Sequence, residues 1–595
     1  MTPARRCQIF WIGAFATLSM LIAHNTVGNG LEVNEYGVFW VSLLATIMLG
    51  VLAMAESRWN PYELGIGITY FLMLMIYLFS IRDIYAANSP IYGLDTYFEI
   101  GAIRQFQASG FRPGGATPFA VVTDFPLIHI FTIFFIEITG MEVVPASRFL
   151  EFALSVIAWS LFILCIRVFL KDLKWLLLWS LVFVSSFQLL VLNFSRQLLG
   201  LVLLLLLVYL VLNRSRFAGV RNSVLLLISI AGLTLAHQLS GLVGLLVMLA
   251  IIATPWILRR LSSKAILKNG GQRRTADITL IFGVILIGYW FLITLSIAGL
   301  LARVNYILST GESVFQTGYQ ANMRLLLGYA ILVITNGGLG LYVLGPVLWG
   351  RARSVPSPDG LALVGTSGVL VIMSIILPRA GVGVDLSRLL LFVEVLVPIG
   401  FVATYKFDKK PLQAEKARNL PLSRARSHQQ SVKRRVSLVA VAAVTLIVGN
   451  MAVLPPSFAS PTLSPYYAGG EFRVYVTRQE LAAVEWLPND SIGLGDHYLS
   501  MSSLFLQHGM ISVNQGLITH STPLDDGYEW FVYDVNYQNR ILDRCNLTYA
   551  TLSLERIGEF DSNPWLVKAY DNGEIWIYTS NQTPIKRTAS VTFSC

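Results

Sequence analysis

The sequence is short of charged residues and of cysteine for its length. Lys, Arg, Asp and Glu make up 13% of the 595 residues, whereas about 25% is usual for a soluble domain. With 55% hydrophobic residues, the chain is not disordered, and it has too few charges to cover a large soluble enzyme. Its four cysteines exclude a disulfide scaffold and have no metal-ligand spacing. A polytopic membrane protein is the class that remains.

The short motifs of common enzymes are also missing. The sequence has no P-loop, no glycine-rich dinucleotide motif, no HExxH and no GxSxG. The basic segment SRARSHQQSVKRR lacks interleaved aromatic residues, so it is read as an orientation signal near anionic lipid. We therefore predict no nucleic-acid partner, although the net charge is +10.

Apolar runs recur along the first 455 residues. A helix that spans a bilayer needs roughly 20 apolar residues. We predict thirteen spans at 8–24, 37–55, 63–81, 149–166, 174–192, 198–212, 222–236, 239–257, 277–299, 325–347, 360–377, 387–405 and 436–454.

The positions of Lys and Arg predict the orientation. Cytoplasmic loops are enriched in these residues. If the N-terminus is cytoplasmic and the thirteen spans alternate, 27 of the 44 basic residues fall in inner segments. A further apolar run at 118–139 would reverse this pattern if it crossed. We therefore expect it to enter or lie on the outer side without crossing, and the C-terminal region to be extracytoplasmic.

The predicted fold class is an α-helical polytopic membrane protein with about 13 transmembrane helices and a small C-terminal α/β or α+β outer domain. Residues 1–62 form two N-terminal helices, residues 63–455 form the main membrane domain with a long outer loop at 82–148, and residues 456–595 form the outer domain. In this last part VTRQELAAVEWLP predicts an amphipathic helix, SIGLGD a short strand, and VKAYDNGEIWIYTS a hairpin that turns at Asn572-Gly573.

The long outer loop carries carboxylates in the segment IYGLDTYFEIG. Asp95 and Glu99 are four residues apart, so on a helix they would share one face. Such a pair can bind a divalent cation or act as a base toward a hydroxyl. The alternative is a solvated loop with ordinary charges. Other candidates for contact with an acceptor in this loop are Tyr92, Tyr97, Arg104 and Asp124.

A histidine lies on the apolar run that follows. His129 stands alone in TDFPLIHIFTIFFIEITGM. A single histidine on an apolar helix is more often a hydrogen-bonded packing residue than a catalyst, so we predict the packing role.

Basic side chains occur at three other points predicted to face outward. They are Arg196 in NFSRQLLG, His237 in LAHQLSG, and Arg379 and Arg388 in LPRAGVGVDLSRLLLF. Ionisable residues at membrane depth are costly and are functional candidates by default. A pair between Arg388 and Asp385, or a snorkelling side chain, is the structural alternative. Arginine and histidine on the side of the carboxylates suit a phosphate leaving group opposite a hydroxyl nucleophile.

This arrangement resembles the GT-C superfamily of membrane glycosyltransferases. IYGLDTYFEIG is similar to the acidic element of that superfamily's first outer loop, and TDFPLIHIFTIFFIEITGM is similar to its juxtamembrane helix. The resemblance implies sugar transfer from a polyprenyl-phosphate carrier to a glycan or protein acceptor outside the membrane. Carried over, Asp95 would be the base or acceptor-orienting carboxylate, and Arg388, with His237 and Arg196, would bind the lipid phosphate. The plasma membrane of a prokaryote is the expected location.

The chain departs from that pattern in two ways. Two spans precede the span expected to be first. The second outer loop reads Ser195-Arg196-Gln197, without the acidic motif of metal-dependent members. The missing motif argues against a bound metal and against an oligosaccharyltransferase proper. A divalent cation is the one cofactor that we consider. Two alternatives stay open: a polymerase or ligase of lipid-linked glycans, and a transporter or flippase.

Overall fold

The computed structural model describes most of the predicted membrane domain and parts of the C-terminal region. The described residues are 2–27, 35–56, 60–85, 94–110, 124–170, 172–185, 194–214, 220–261, 272–294, 323–348, 357–379, 386–404, 441–450, 478–487, 492–495, 510–513, 530–534, 541–543, 548–550, 561–562, 564, 566–571 and 575–580.

The first 450 residues are helical wherever they are described. The helices are α1 (Pro3–Val27), α2 (Glu35–Glu56), α3 (Pro61–Tyr85), α4 (Leu94–Ser109), α5 (Leu127–Thr139), α6 (Val143–Arg167), α7 (Leu173–Val184), α8 (Arg196–Leu212), α9 (Val220–Ala236), α10 (Gln238–Leu261), α11 (Gln272–Leu292), α12 (Met323–Leu348), α13 (Pro358–Arg379), α14 (Leu386–Thr404) and α15 (Val441–Asn450).

Within these described residues, five helices are long and apolar enough to cross a membrane. The segments are Pro3–Ala23, Pro61–Leu78, Val143–Arg167, Gln238–Leu258 and Thr275–Leu292. Shorter apolar helices lie in the other predicted spans. Large apolar side chains such as Ile12, Leu280 and Ile334 are exposed on the helices, as expected of surfaces that face lipid. The helical membrane class is thus supported, while the number of thirteen spans and the domain limits stay predictions.

Helix α8 lies at the centre of the bundle. Its sequence RQLLGLVLLLLLVYLVL is apolar on every side, and almost all of its residues are buried. A helix that is apolar all round suits either a protein core or lipid, and here other helices bury it. It packs against α6, α9 and α10, with α5 near its first turn.

The chain turns back at His237, between α9 and α10. A Cβ atom added at Gly244 would lie 3.2 Å from Leu233 Cδ1, although the two residues are far apart along one straight helix. The prediction of two helices that meet at LAHQLSG is therefore confirmed.

The ambiguous run 118–139 contains the short helix α5. Pro126 precedes it, and Gly140 ends it with a φ of 68°, a left-handed conformation that glycine adopts without strain. Thirteen residues of helix extend about 20 Å. That the run does not cross the membrane stays a prediction, since the twelve described residues of α7 lie in a predicted span.

The described parts of the C-terminal region form a helix and two sheets. The helix is α16 (Arg478–Trp486), and the main sheet has the order β2-β1-β3-β7-β6, with β1 parallel to β2 and β3. The predicted amphipathic helix, the strand in SIGLGD and the final antiparallel hairpin are confirmed. The strands are β1 (Ile492–Gly495), β2 (Met510–Val513), β3 (Trp530–Asp534), β4 (Ile541–Asp543), β5 (Thr548–Ala550), β6 (Leu566–Asp571) and β7 (Ile575–Ser580), and β4 pairs with β5.

Candidate functional site

Three segments of the chain meet at the carboxylate of Glu99. On one side, Glu99 Oε2 lies 2.6 Å from His129 Nε2 of α5. On the other, Arg196 Nε of α8 donates a hydrogen bond to Glu99 Oε1 at 2.9 Å. Helix α4, helix α5 and the start of α8 thus share one buried ionic cluster.

The burial of this cluster is uneven. The Glu99 side chain is 3% exposed and the His129 side chain 0%, whereas the Arg196 side chain is 19% exposed. Buried charges persist in proteins only when they are paired and hydrogen-bonded. Arg196 is therefore the member of the cluster that reaches the surface. Glu99 binds it directly, and His129 contacts Glu99.

Helix α4 places Glu99 on its buried face. Thr96 and Ile103 are buried on the same side of the helix, at i−3 and i+4 from Glu99. Asp95 and Glu99 both lie on α4 (Leu94–Ser109), and the burial of Glu99 rules out the alternative of a solvated loop at that residue. Asp95 therefore lies one helical turn before Glu99.

Helix α5 fixes His129 by packing. The imidazole stacks on Phe106 of α4, with ring centroids 5.3 Å apart and an interplanar angle of 23°. Ile128 and Thr132 are buried beside it. His129 is thus a hydrogen-bonded packing residue, as the sequence indicated, and its partner is the candidate carboxylate.

The entry to α5 is held by α11. The Tyr289 hydroxyl donates a hydrogen bond to the backbone oxygen of Asp124 at 2.6 Å, and its ring packs edge-on against Phe125. Asp124 itself is buried. The start of α5 is therefore attached to the end of α11 that we predict to be outer.

Opposite charges keep the Glu99 carboxylate ionised. Burial on its own would raise the pKa of Glu99, but the charge of Arg196 and the hydrogen bond from His129 outweigh it, so the pKa lies well below its ordinary value. The backbone N–H of Arg196, at the start of α8, also points to Glu99 Oε1 at 3.4 Å. A helix N-terminus carries partial positive charge and favours an anion there.

His237, between α9 and α10, packs against α8 at Gly200, one turn beyond Arg196. It is buried, and its Nδ1 lies 3.1 Å from the Ser240 hydroxyl. A Cβ atom added at Gly200 would come within 3.1 Å of His237 Cβ and would clash with Ser240. Since Gly200 is four residues after Arg196, the small glycine brings the His237 turn against the Arg196 face of α8.

The remaining predicted residues have positions on the backbone or lie outside the description. Arg104 is half-buried on α4, and burial lowers the pKa of its guanidinium. Arg379 is the last residue of α13, and Arg388 lies in the first turn of α14. The side chains of Asp95, Tyr97, Arg379 and Arg388, and all of Tyr92 and Asp385, lie outside the described residues.

The described residues do not fit a divalent cation at Glu99. They include no group of three or more His, Cys, Asp or Glu that could hold a metal ion. Both carboxylate oxygens of Glu99 already accept donors, one from His129 and one from Arg196. A cation at this carboxylate would have to displace the arginine.

Sequence reasoning selected Glu99 and Arg196 separately and missed their pairing. The two residues are 97 positions apart, and no spacing rule joins them. One signal was available for His129: a histidine on an apolar helix needs a polar partner, and the preceding loop supplies few.

Comparisons with known proteins find similar solved structures but no family or curated relative. No family model matches the sequence, and a comparison with curated proteins gives no match. The fold is similar to the crystal structure of the Archaeoglobus fulgidus oligosaccharyltransferase, solved in complex with zinc and sulfate, at 12% identity and a TM-score of 0.44. The alignment covers 79% of this chain and 68% of that one. A score and identity this low do not by themselves establish a shared fold or activity.

Proposed function

We propose that this chain is an integral membrane glycosyltransferase of the GT-C type. It takes a sugar from a polyprenyl-phosphate carrier and passes it to a glycan or protein acceptor on the outer face of the membrane. The observation that carries the proposal is the convergence on Glu99 of α4, α5 and the start of α8. The sequences of α4 and α5 resemble the first outer loop and the juxtamembrane helix of that superfamily, and the start of α8 follows the predicted second outer loop, which lacks the acidic motif.

The charge and exposure of Arg196 suit the leaving group. Sugar transfer from a lipid phosphate releases an anionic phosphate, and arginine binds phosphate through several donors in one plane. Arg196 is held by Glu99 and is the partly exposed member of the cluster. In the proposed reaction it stabilises the departing phosphate together with Arg388, Arg379 and His237.

Asp95 and Glu99 take different roles in this scheme. The acceptor hydroxyl attacks the anomeric carbon, the bond from that carbon to the phosphate oxygen breaks, and its electron pair leaves with the phosphate. The hydroxyl proton passes to Asp95, which acts as the base. Glu99 has both oxygens occupied and a low pKa, so it serves to position Arg196 and does not take the proton.

The test is transfer of labelled sugar by the full-length protein in proteoliposomes, with polyprenyl-phosphate sugars as donors. Asp95→Asn should lower kcat by about 10²-fold or more, because a general base contributes 10²–10⁴-fold. Asp277→Asn is the matched control, since Asp277 is an exposed aspartate near the predicted inner end of α11. It should transfer at the wild-type rate.

Two outcomes would contradict the proposal. Undiminished transfer by Asp95→Asn would remove the assignment of the base. Accumulation of labelled solute inside the vesicles, without transfer from any donor, would indicate a transporter.

A further inference from the structure

The positive charge that contacts the Glu99 carboxylate belongs to a side chain of the protein, Arg196. Glu99 Oε1 receives the guanidinium Nε of Arg196 at 2.9 Å, and Oε2 contacts His129 at 2.6 Å. The carboxylate thus has a positive side chain where a metal ion would otherwise bind. The position of Arg196 is fixed twice, because its backbone N–H also points to Oε1.

A divalent cation would find a poor set of ligands here. Mg²⁺ and Mn²⁺ prefer several oxygen ligands, usually carboxylates and water. Among the described residues around Glu99, the nearest groups are one histidine and one arginine, and no cluster of three ligand side chains occurs. Displacing Arg196 would also separate the guanidinium from a carboxylate that is only 3% exposed.

We propose that Arg196 is the built-in cation of the outer site and that phosphate binding and sugar transfer there need no divalent metal. The inference rests on the proposed function for the identity of the ligand, a polyprenyl phosphate. Glu99 and His129 hold the guanidinium at the surface, where it neutralises the phosphate. The displaced phosphate is stabilised by arginine in place of a metal ion.

His129 is the positioning residue of this device. It is fully buried, and its Nδ1 has no hydrogen-bond partner among the residues that the structure describes. The one described hydrogen bond of its imidazole is therefore to Glu99 Oε2. By fixing that oxygen, His129 orients Oε1 toward Arg196, and it acts on the substrate only through these two residues.

The first experiment measures metal dependence on the wild-type protein in nanodiscs. Binding of undecaprenyl phosphate is followed by native mass spectrometry with EDTA and with Mn²⁺, and bound Mn²⁺ is followed by electron paramagnetic resonance. We expect the same dissociation constant for the lipid in both conditions and no bound Mn²⁺ at micromolar metal. Loss of lipid binding in EDTA, or a stoichiometric Mn²⁺ signal, would overturn the inference.

The second experiment uses variants with EDTA present. Arg196→Gln should weaken undecaprenyl phosphate binding by about tenfold or more, the equivalent of one strong charged contact. The control is Arg214→Gln, because Arg214 forms a similar ion pair with Asp359 at 2.9 Å beyond the other end of α8. Equal affinity in the two variants would contradict the proposal.

Substitutions at His129 separate positioning from packing. His129→Gln keeps a side-chain N–H that can reach Glu99, whereas His129→Phe keeps the stacking on Phe106 and loses the hydrogen bond. We expect near wild-type affinity for the first and an Arg196→Gln-like loss for the second. If both bind as tightly as wild type, His129 has no positioning role.

The two proposals fail in different ways. Transfer that occurs only with added Mn²⁺ would refute metal independence and leave the glycosyltransferase function standing. Metal-free binding of undecaprenyl phosphate without transfer from any donor sugar would refute the glycosyltransferase function and leave metal-independent phosphate binding standing.

Discussion

Glu99 is the residue on which the site depends, because it is buried and holds two partners from different helices. Replacing Glu99 by Gln keeps the shape of the side chain and removes its charge, which leaves Arg196 without its anion. Breaking one partner of a buried ion pair costs about 3–5 kcal/mol. We expect Glu99→Gln to lower the thermal unfolding temperature of the detergent-solubilised protein. Glu63→Gln is the control, because Glu63 is partly exposed in the first turn of α3.

The same residue predicts a pH dependence with a definite sign. Because the pKa of Glu99 is lower in the folded protein, the stabilisation from its charge is complete above the ordinary pKa of about 4.5 and declines as the pH falls toward the folded-state value. The gap in unfolding temperature between wild type and Glu99→Gln should therefore narrow when the pH is lowered from 7 to about 3. A gap that is constant or that widens in acid would show that the charge is not the cause.

At this scale the sequence predicted the residue types and not their partners. Glu99 was identified as half of a carboxylate pair with Asp95, and Arg196 because a charge next to an apolar span is costly. Their contact depends on the packing of α4 against α5 and on the start of α8, which no local pattern records. Asp95, Arg379 and Arg388 stay predictions, since their side chains lie outside the described residues.

Among the elements, α8 and α10 depend on a close approach at Gly200. A Cβ atom at this position would lie 2.4 Å from Ser240 Oγ and 2.8 Å from Ser240 Cβ. We expect Gly200→Ala to separate the helices and to weaken binding of undecaprenyl phosphate, because Arg196 lies one turn away on α8.

A compensating change tests this interpretation. Adding Ser240→Gly removes the atoms that clash, so the double variant should recover a large part of the lost binding. Gly400→Ala is the control, since a Cβ there would clash with the backbone of Gly360 in the α13–α14 pair, away from the candidate site. If Gly400→Ala weakens lipid binding as much as Gly200→Ala, the effect is one of general stability.

The short helix α5 makes a prediction about topology. In a background with the four native cysteines replaced by alanine, Met141→Cys should react with a membrane-impermeant maleimide added outside, because Met141 is exposed in the turn after α5. Leu173→Cys, in a predicted inner segment, should react only after the membrane is permeabilised. Labelling of Met141→Cys from the inside alone would mean that the run 118–139 crosses.

The elements themselves were largely predictable. Helices lie in each predicted apolar run, and the final hairpin was indicated by alternating residues around Asn572-Gly573. The bounds of α5 also follow a local signal, because Pro126 comes just before Leu127, where the helix begins, and Gly140 just after Thr139, where it ends. The parallel pairing of β1 with β2 and β3 depends on contacts distant in sequence and was not predicted.

For the whole molecule, the distribution of charge carries the functional argument. The net charge of +10 would suggest nucleic acid in a soluble protein, yet 27 of the 44 basic residues lie in predicted inner segments. Few arginines lie in the predicted outer segments between spans, and one of them, Arg196, is fixed by a buried carboxylate. An arginine held in this way suits the phosphate-binding site that we propose.

Helix α8 allows the most direct measurement, because it has an arginine–carboxylate pair at each end. Arg196 pairs with Glu99 at one end and Arg214 pairs with Asp359 at the other, both at 2.9 Å. Transfer of labelled sugar from a polyprenyl-phosphate donor should be compared between Arg196→Ala and Arg214→Ala in proteoliposomes. We predict that Arg214→Ala transfers at close to the wild-type rate and that Arg196→Ala loses about 10²-fold. Equal rates in the two variants, or no transfer by the wild-type protein from any donor, would contradict the outer-face glycosyltransferase site.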